Sequence, residues 1–146
     1  MRATTEYAGD MDVTAAFEIL MEKAAAVLVD VRTNAEWAFV GVPDLTATGR
    51  DPILAEWQSL PPAEPVKDFV TDLAKNISEK GLDQSASILF LCRSGVRSQA
   101  AAKAMTQAGY ANCYNITGGF EGPLDQEGHR GTQSGWKASG LPWIQT

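Results

Sequence analysis

Apolar positions along the chain change register several times, and the changes alternate between a helical and a strand period. From Val13 to Ala24, the residues Ala16, Phe17, Leu20, Met21 and Ala24 fall on one face of a helix, with Asp12 placed to cap it. Val27-Leu28-Val29-Asp30-Val31 follows as a short continuous apolar run, the mark of a strand covered on both faces. Thr33 stands three residues before Glu36, a capping-box spacing that predicts a short helix through Trp37 and Phe39. Gly41 to Asp51 reads as loop, and Ile53 to Trp57 as a strand ended by the breaker Pro61-Pro62. Val66, Phe69, Val70, Leu73 and Ile77 then give the clearest amphipathic helix. Ser87 to Leu91 is a third buried strand. From Ser98, the small residues Ala101, Ala104, Met105 and Ala108 line a narrow helix face that ends at Gly109, with Tyr110 packing beyond. Cys113 to Ile116 completes a fourth strand.

Strands alternating with helices imply βαβ units and right-handed crossovers. The expectation is an α/β fold, an open, mainly parallel sheet of four to five strands with helices on both faces. At 146 residues the chain is expected to form a single domain over 1–146. An apolar share of 45% and a charged share of 21% suit a globular protein. Twelve basic against 18 acidic residues leave a net charge of −6, which disfavours nucleic acid and anionic membrane as partners. The N-terminus has neither the basic nor the apolar region of a secretory signal. With two cysteines and one histidine the chain lacks the ligands of a structural zinc site, and no metal or organic cofactor is implied. The expected setting is reducing and cytoplasmic.

Ligands of open α/β sheets bind beyond the carboxyl ends of the strands. There the sequence places Asp30-Val31-Arg32 and Cys92-Arg93-Ser94-Gly95-Val96-Arg97-Ser98. Cys92 closes a buried strand and a helix follows almost at once, so the loop between must curl, with Gly95 free to take a positive φ. Curling turns backbone N–H groups inward and adds them to the unpaired donors of the helix start. Arg93 and Arg97 add positive charge. Such a cradle favours a thiolate, or an equally anionic persulfide, without a histidine base.

The Cys92–Ser98 loop resembles the active-site loop of rhodanese sulfurtransferases, and Val29-Asp30-Val31-Arg32 resembles their first-strand motif. Gly118-Gly119, Trp136 and Gly140-Leu141-Pro142 resemble the closing segment of that family, in the same order. The resemblance implies that Cys92 takes a sulfane sulfur from a small anionic donor such as thiosulfate and passes it to a thiol or cyanide-like acceptor. It implies that the segment from Arg93 to Ser98 holds the anion; Asp30 and Arg32, as polar residues at a strand end, read as scaffold that pairs with neighbouring strand ends or the active loop. Four residues between Cys92 and Arg97 make a tighter ring than the five of the related dual-specificity phosphatases, which disfavours phosphate. Arg93, where mercaptopyruvate-using relatives usually carry glycine, tilts the donor toward thiosulfate.

Two departures stand out. The family's Gly-His-Ile-Pro-Gly segment is replaced by Gly41-Val42-Pro43-Asp44, without the histidine. A polar, glycine-rich insertion, about 120–135, separates Gly119 from Trp136, and is expected to border the Cys92 pocket through His129 or Arg130. Trp57 is a further candidate for the pocket wall. Cys113 reads as buried core, with a resolving thiol as the alternative, and Glu36 and Glu56 as capping or solvated residues. The competing functions are a sulfur relay with a protein acceptor and a non-catalytic rhodanese-like binding module. Oligomeric state is not encoded in any of these features.

Overall fold

The apolar run Ala26–Asp30 (β2) is buried at every position, because it lies inside a sheet with neighbours on both edges and helices on both faces. The structure is a computed structural model that describes residues 6–59 and 64–145. The Pro61-Pro62 breaker lies outside the described residues. Chain order is β1 (Gly9–Met11), α1 (Val13–Glu22), β2, α2 (Asn34–Phe39), β3 (Val42–Pro43), β4 (Ile53–Leu54), β5 (Gln58–Ser59), β6 (Glu64–Pro65), α3 (Phe69–Glu79), β7 (Ser87–Leu91), α4 (Val96–Gln107), β8 (Cys113–Ile116) and β9 (Trp143–Ile144). One parallel five-stranded sheet runs β1-β8-β7-β2-β4. Two antiparallel pairs, β3 with β9 and β5 with β6, stand apart from it.

Alternation along β2 sorts its side chains to two cores. Val27, Val29 and Val31 meet Phe69, Leu73 and Ile77 of α3 and Ala101, Ala102 and Met105 of α4. Ala26 and Leu28 meet Val13, Ala16 and Leu20 of α1 on the opposite face, together with Phe120 and Trp136. The expected α/β architecture is therefore present, helices on both faces included.

Local chemistry sets the element ends. Asp12 accepts from Ala15 N at 2.8 Å, capping α1. The Thr33–Glu36 capping box of α2 is formed in both directions. The C-terminal carbonyl of Leu20 on α1, with those of Ala24 and Ala26 beyond it, is held by the Arg50 guanidinium.

Three boundaries and one helix face differ from the sequence reading. Val66 lies before α3, since its N–H is taken by Trp57 O at 2.8 Å. The strand expected over Ile53–Trp57 pairs in the sheet only at Ile53–Leu54, after which the chain turns into the β5–β6 pair. α4 begins at Val96, directly after Gly95 turns the chain at φ +118°. It buries Ser98 and Ala102 alongside Ala101 and Met105, whereas Ala104 is half-buried and Ala108 exposed. Among the described residues no helix is long and apolar enough to cross a membrane.

Asp30 of β2 is in register with Leu91 of β7. The segments that carry Arg32 and Cys92 therefore leave the sheet side by side at its carboxyl end.

Candidate active site

Cys92 follows the last residue of β7 and is 1% exposed. Its sulfur is nonetheless not surrounded by hydrocarbon alone. Gly95 donates its backbone N–H to Sγ at 3.1 Å, and Ser98 Oγ lies 3.2 Å away. Of the amides from Arg93 to Ser98, Gly95's is the one on the sulfur among the described residues. The positive φ at Gly95 aims it there, in a region of backbone space that a side chain would strain. Ser98 reaches the sulfur from the first turn of α4 and in turn donates to Asn115 Oδ1 at 2.6 Å.

Arg93 and Arg97 line a cavity of about 440 Å³ together with Thr33, Glu36, Gln58 and Arg130, among others, and Cys92 is not among its lining residues. Arg97 does not face it as an unpaired cation. Its guanidinium grips both oxygens of Glu36, at 2.6 and 3.0 Å, tying α4 to α2. Burial alone would push the Glu36 carboxyl up, but the bond and charge of Arg97, with help from Thr33, hold it below its ordinary value. The same partner raises Arg97, against its own burial, and the nearby Cys92 and Asp30 add to this. Arg93 is exposed at the cavity, and its carbonyl accepts from Glu121 N and Gly122 N at 3.1 and 3.0 Å.

Those two amides belong to the insertion, which is anchored to the cysteine loop by backbone. Phe120 N donates to Cys92 O at 2.8 Å. Farther along, Asp125 accepts from Glu127 N, His129 N and Thr132 Oγ1, closing a turn. Arg130 folds back to donate to Gly122 O at 2.7 Å and reaches the cavity wall. His129 is exposed and does not line the cavity. Nor does Trp57, whose ring packs edge-on against Phe69 at 5.0 Å and so turns toward α3.

Asp30 and Arg32 are fully buried and paired, Nη2 to Oδ2 at 2.6 Å. Arg32 also donates to Gly41 O at 2.7 Å and lies 4.2 Å from the centre of the Phe120 ring. The pair thus fixes the start of the insertion and the Gly41–Asp44 segment, and it does not line the cavity. That segment, without the histidine, supplies β3, which pairs with β9. Cys113 is buried, with its thiol pushed up to about 11 by burial.

Sequence reasoning did not find the partners of the cysteine loop. Glu36 was legible as a capping residue but not as the carboxylate under Arg97. Asn115 and Asp10, joined at 3.1 Å, carry no motif. The one signal available was the lone amide of Asn115 inside the short strand Cys113–Ile116.

A family model described as the STR4 middle domain matches residues 8–146. Among relatives, the uncharacterized protein RC0915 of Rickettsia conorii is 41% identical over 130 residues, covering 89% of this chain and 92% of that protein. The crystal structure of Rv0390 from M. tuberculosis is similar at TM-score 0.85 and 46% identity, covering 96% of this chain and 99% of that one. The polysulfide-sulfur transferase homodimer from Wolinella succinogenes is similar at TM-score 0.58 and 19% identity, over 97% of this chain and 80% of that one. A rhodanese-like domain from Anabaena sp. (TM-score 0.58, 17% identity, 94% and 79% covered) joins it in supporting the fold alone. With a rhodanese-like fold and a family match that runs from β1 past β9, this chain belongs to the STR4 middle domain family.

Proposed function

We propose that the protein is a rhodanese-type sulfurtransferase that moves a sulfane sulfur from a thiosulfate-type donor to a thiophilic acceptor through a persulfide on Cys92. The Cys92 thiolate attacks the outer sulfur of the donor. The donor's S–S bond breaks, and sulfite leaves with its electron pair. An acceptor such as cyanide or a thiol then attacks the terminal sulfur of the persulfide. The second S–S bond breaks and the Cys92 thiolate returns, so neither half-reaction needs an external oxidant or reductant.

One observation carries the reading: Gly95 N–H and Ser98 Oγ converge on the Cys92 sulfur, and the flanking Arg93 and Arg97 line a cavity together with Arg130. The exposed Arg93 guanidinium, beside the Arg97–Glu36 pair, suits a small anion, and the amide suits negative charge on sulfur. The two cysteines, neither in a disulfide, fit a reducing, cytoplasmic setting. A sulfur relay with a protein acceptor is the second reading. It is favoured by Phe39 and Val96, 81% and 78% exposed, which adjoin the cavity residues Val40 and Arg97 in sequence.

The test is to incubate the protein with thiosulfate, measure intact mass and then add cyanide. The expected result is a gain of one sulfur atom, discharged as thiocyanate and absent from Cys92→Ser. No adduct on the wild type, or an undiminished adduct on Cys92→Ser, would overturn the reading.

A further inference from the structure

The hydrogen positions around Cys92 follow from the geometry of its neighbours. Asn115 on β8 donates Nδ2–H to Asp10 Oδ1 on β1 at 3.1 Å. A carboxylate oxygen accepts, so the amide must stand with its Oδ1 toward Ser98. Ser98 Oγ, 2.6 Å from that oxygen, is therefore the donor. A serine hydroxyl has a single hydrogen. With that hydrogen on Asn115, the 3.2 Å contact between Ser98 Oγ and Cys92 Sγ is a hydrogen bond only when the sulfur carries the hydrogen. Tyr7 donates to the same Asp10 oxygen at 2.9 Å, and Gln99 Nε2 donates to the Tyr7 hydroxyl at 2.9 Å. Every donor in this thread points toward one exposed carboxylate at the sheet edge.

We propose that Asn115 is a positioning residue for the nucleophile, setting through Ser98 how readily Cys92 gives up its proton. In the arrangement seen, Ser98 accepts from the thiol and Gly95 donates to it, which satisfies the sulfur as S–H. When the thiol proton passes to solvent, the sulfur becomes an acceptor only and faces a lone pair of Ser98. The hydroxyl must then swing its hydrogen from Asn115 Oδ1 to the sulfur. Asn115 is only 4% exposed, so its oxygen is left without that donor and with little access to water. Asn115 thus competes with the sulfur for the Ser98 hydrogen, and Asp10 holds Asn115 in the orientation that does so.

The other charged groups around the sulfur are Arg93 and Arg97 of its own loop and helix, Glu36 of α2, the Asp30–Arg32 pair of β2 and its following turn, and Glu121 and Arg130 of the insertion. Among the described residues none of them hydrogen-bonds to the thread, although Arg97 is near enough to Cys92 to feel its charge, and the Lys103–Glu6 pair lies near Tyr7 at its far end.

The inference is independent of sulfur transfer, and its test reads alkylation instead. Cys92 modification by iodoacetamide is followed by mass across pH in wild type, Asn115→Leu and Asp10→Ala, each with and without Ser98→Ala. Leucine keeps the shape of asparagine and removes the acceptor. Asp10→Ala changes an exposed residue and frees the amide to present its N–H to Ser98. Asn115→Leu is expected to react on the order of fivefold faster than wild type below neutrality, the worth of one hydrogen bond, with its rate profile displaced to lower pH. Asp10→Ala is expected to move the same way by less, and both gains should vanish in the Ser98→Ala background. An unchanged or opposite displacement in Asp10→Ala, whether or not Asn115→Leu folds, would overturn the proposal. So would an equal gain without Ser98, which would mean that the substitution merely exposes the thiol.

Discussion

A methyl group on Gly119 would be set against the backbone of the cysteine loop. It would fall 2.5 Å from Cys92 O and closer still to the Arg93 carbonyl, on a residue already at φ +66°. Neither neighbour can yield cheaply, because Cys92 O and Arg93 O are themselves acceptors for Phe120, Glu121 and Gly122. Gly119→Ala is therefore expected to lower stability by on the order of 3 kcal/mol, from left-handed strain plus overpacking. Urea unfolding measures it, and a loss under about 1 kcal/mol would mean that the loop gives way easily. Residues of this kind were legible in the sequence, since a glycine pair followed by a distant tryptophan belongs to a pattern. Glu36 and Asn115 were not, because the sequence gives no sign of contacts across 61 and 17 residues to Arg97 and Ser98.

At the scale of elements, α2 and α4 are joined by Glu36 and Arg97, each side chain 18% exposed. Burial works against the Glu36 carboxylate, and Arg97 and Thr33 more than offset it, so the folded carboxyl titrates below its ordinary 4.5. A depressed carboxyl contributes stability that is full above the unfolded value and is lost as pH falls through the folded one. Glu36→Gln keeps the capping geometry and removes the charge. It should cost about 1 kcal/mol at neutral pH. The gap to wild type should close as pH drops below 4.5. Unfolding curves at a series of pH values test this, and a gap that stays constant into acid would assign the loss to something other than the ion pair. All four helices were readable from periodicity and caps, α2 from its capping box alone. The two- and three-residue strands β1, β3, β5, β6 and β9 were not, because an alternating period cannot establish itself over so few positions.

At the scale of the whole molecule, strand order was beyond the sequence, and so was the seat of the insertion, which is held by the carbonyls of Cys92 and Arg93 and by the buried Phe120 ring against Arg32. Strand order also decides the role of the second cysteine. Cys113 opens β8 opposite Ile88 of β7, whereas Cys92 lies four residues beyond Ile88 along the same direction. At about 3.3 Å per residue that separates the two by roughly 13 Å along the sheet. A disulfide needs Cα atoms within about 7 Å, so the sheet would have to break for Cys113 to reach Cys92. Burial adds a second obstacle, since a thiol titrating at about 11 is almost wholly protonated at neutral pH and is a poor nucleophile. Treatment of the folded protein with diamide should therefore give no internal disulfide. Cys92 should pair only with small thiols or with a second chain, and Cys113 should react only after unfolding. Peptide mapping under non-reducing conditions reads the outcome. A Cys92–Cys113 cross-linked peptide from folded monomer would show that the two strand ends approach one another in solution, and would restore the resolving role that the parallel register denies to Cys113.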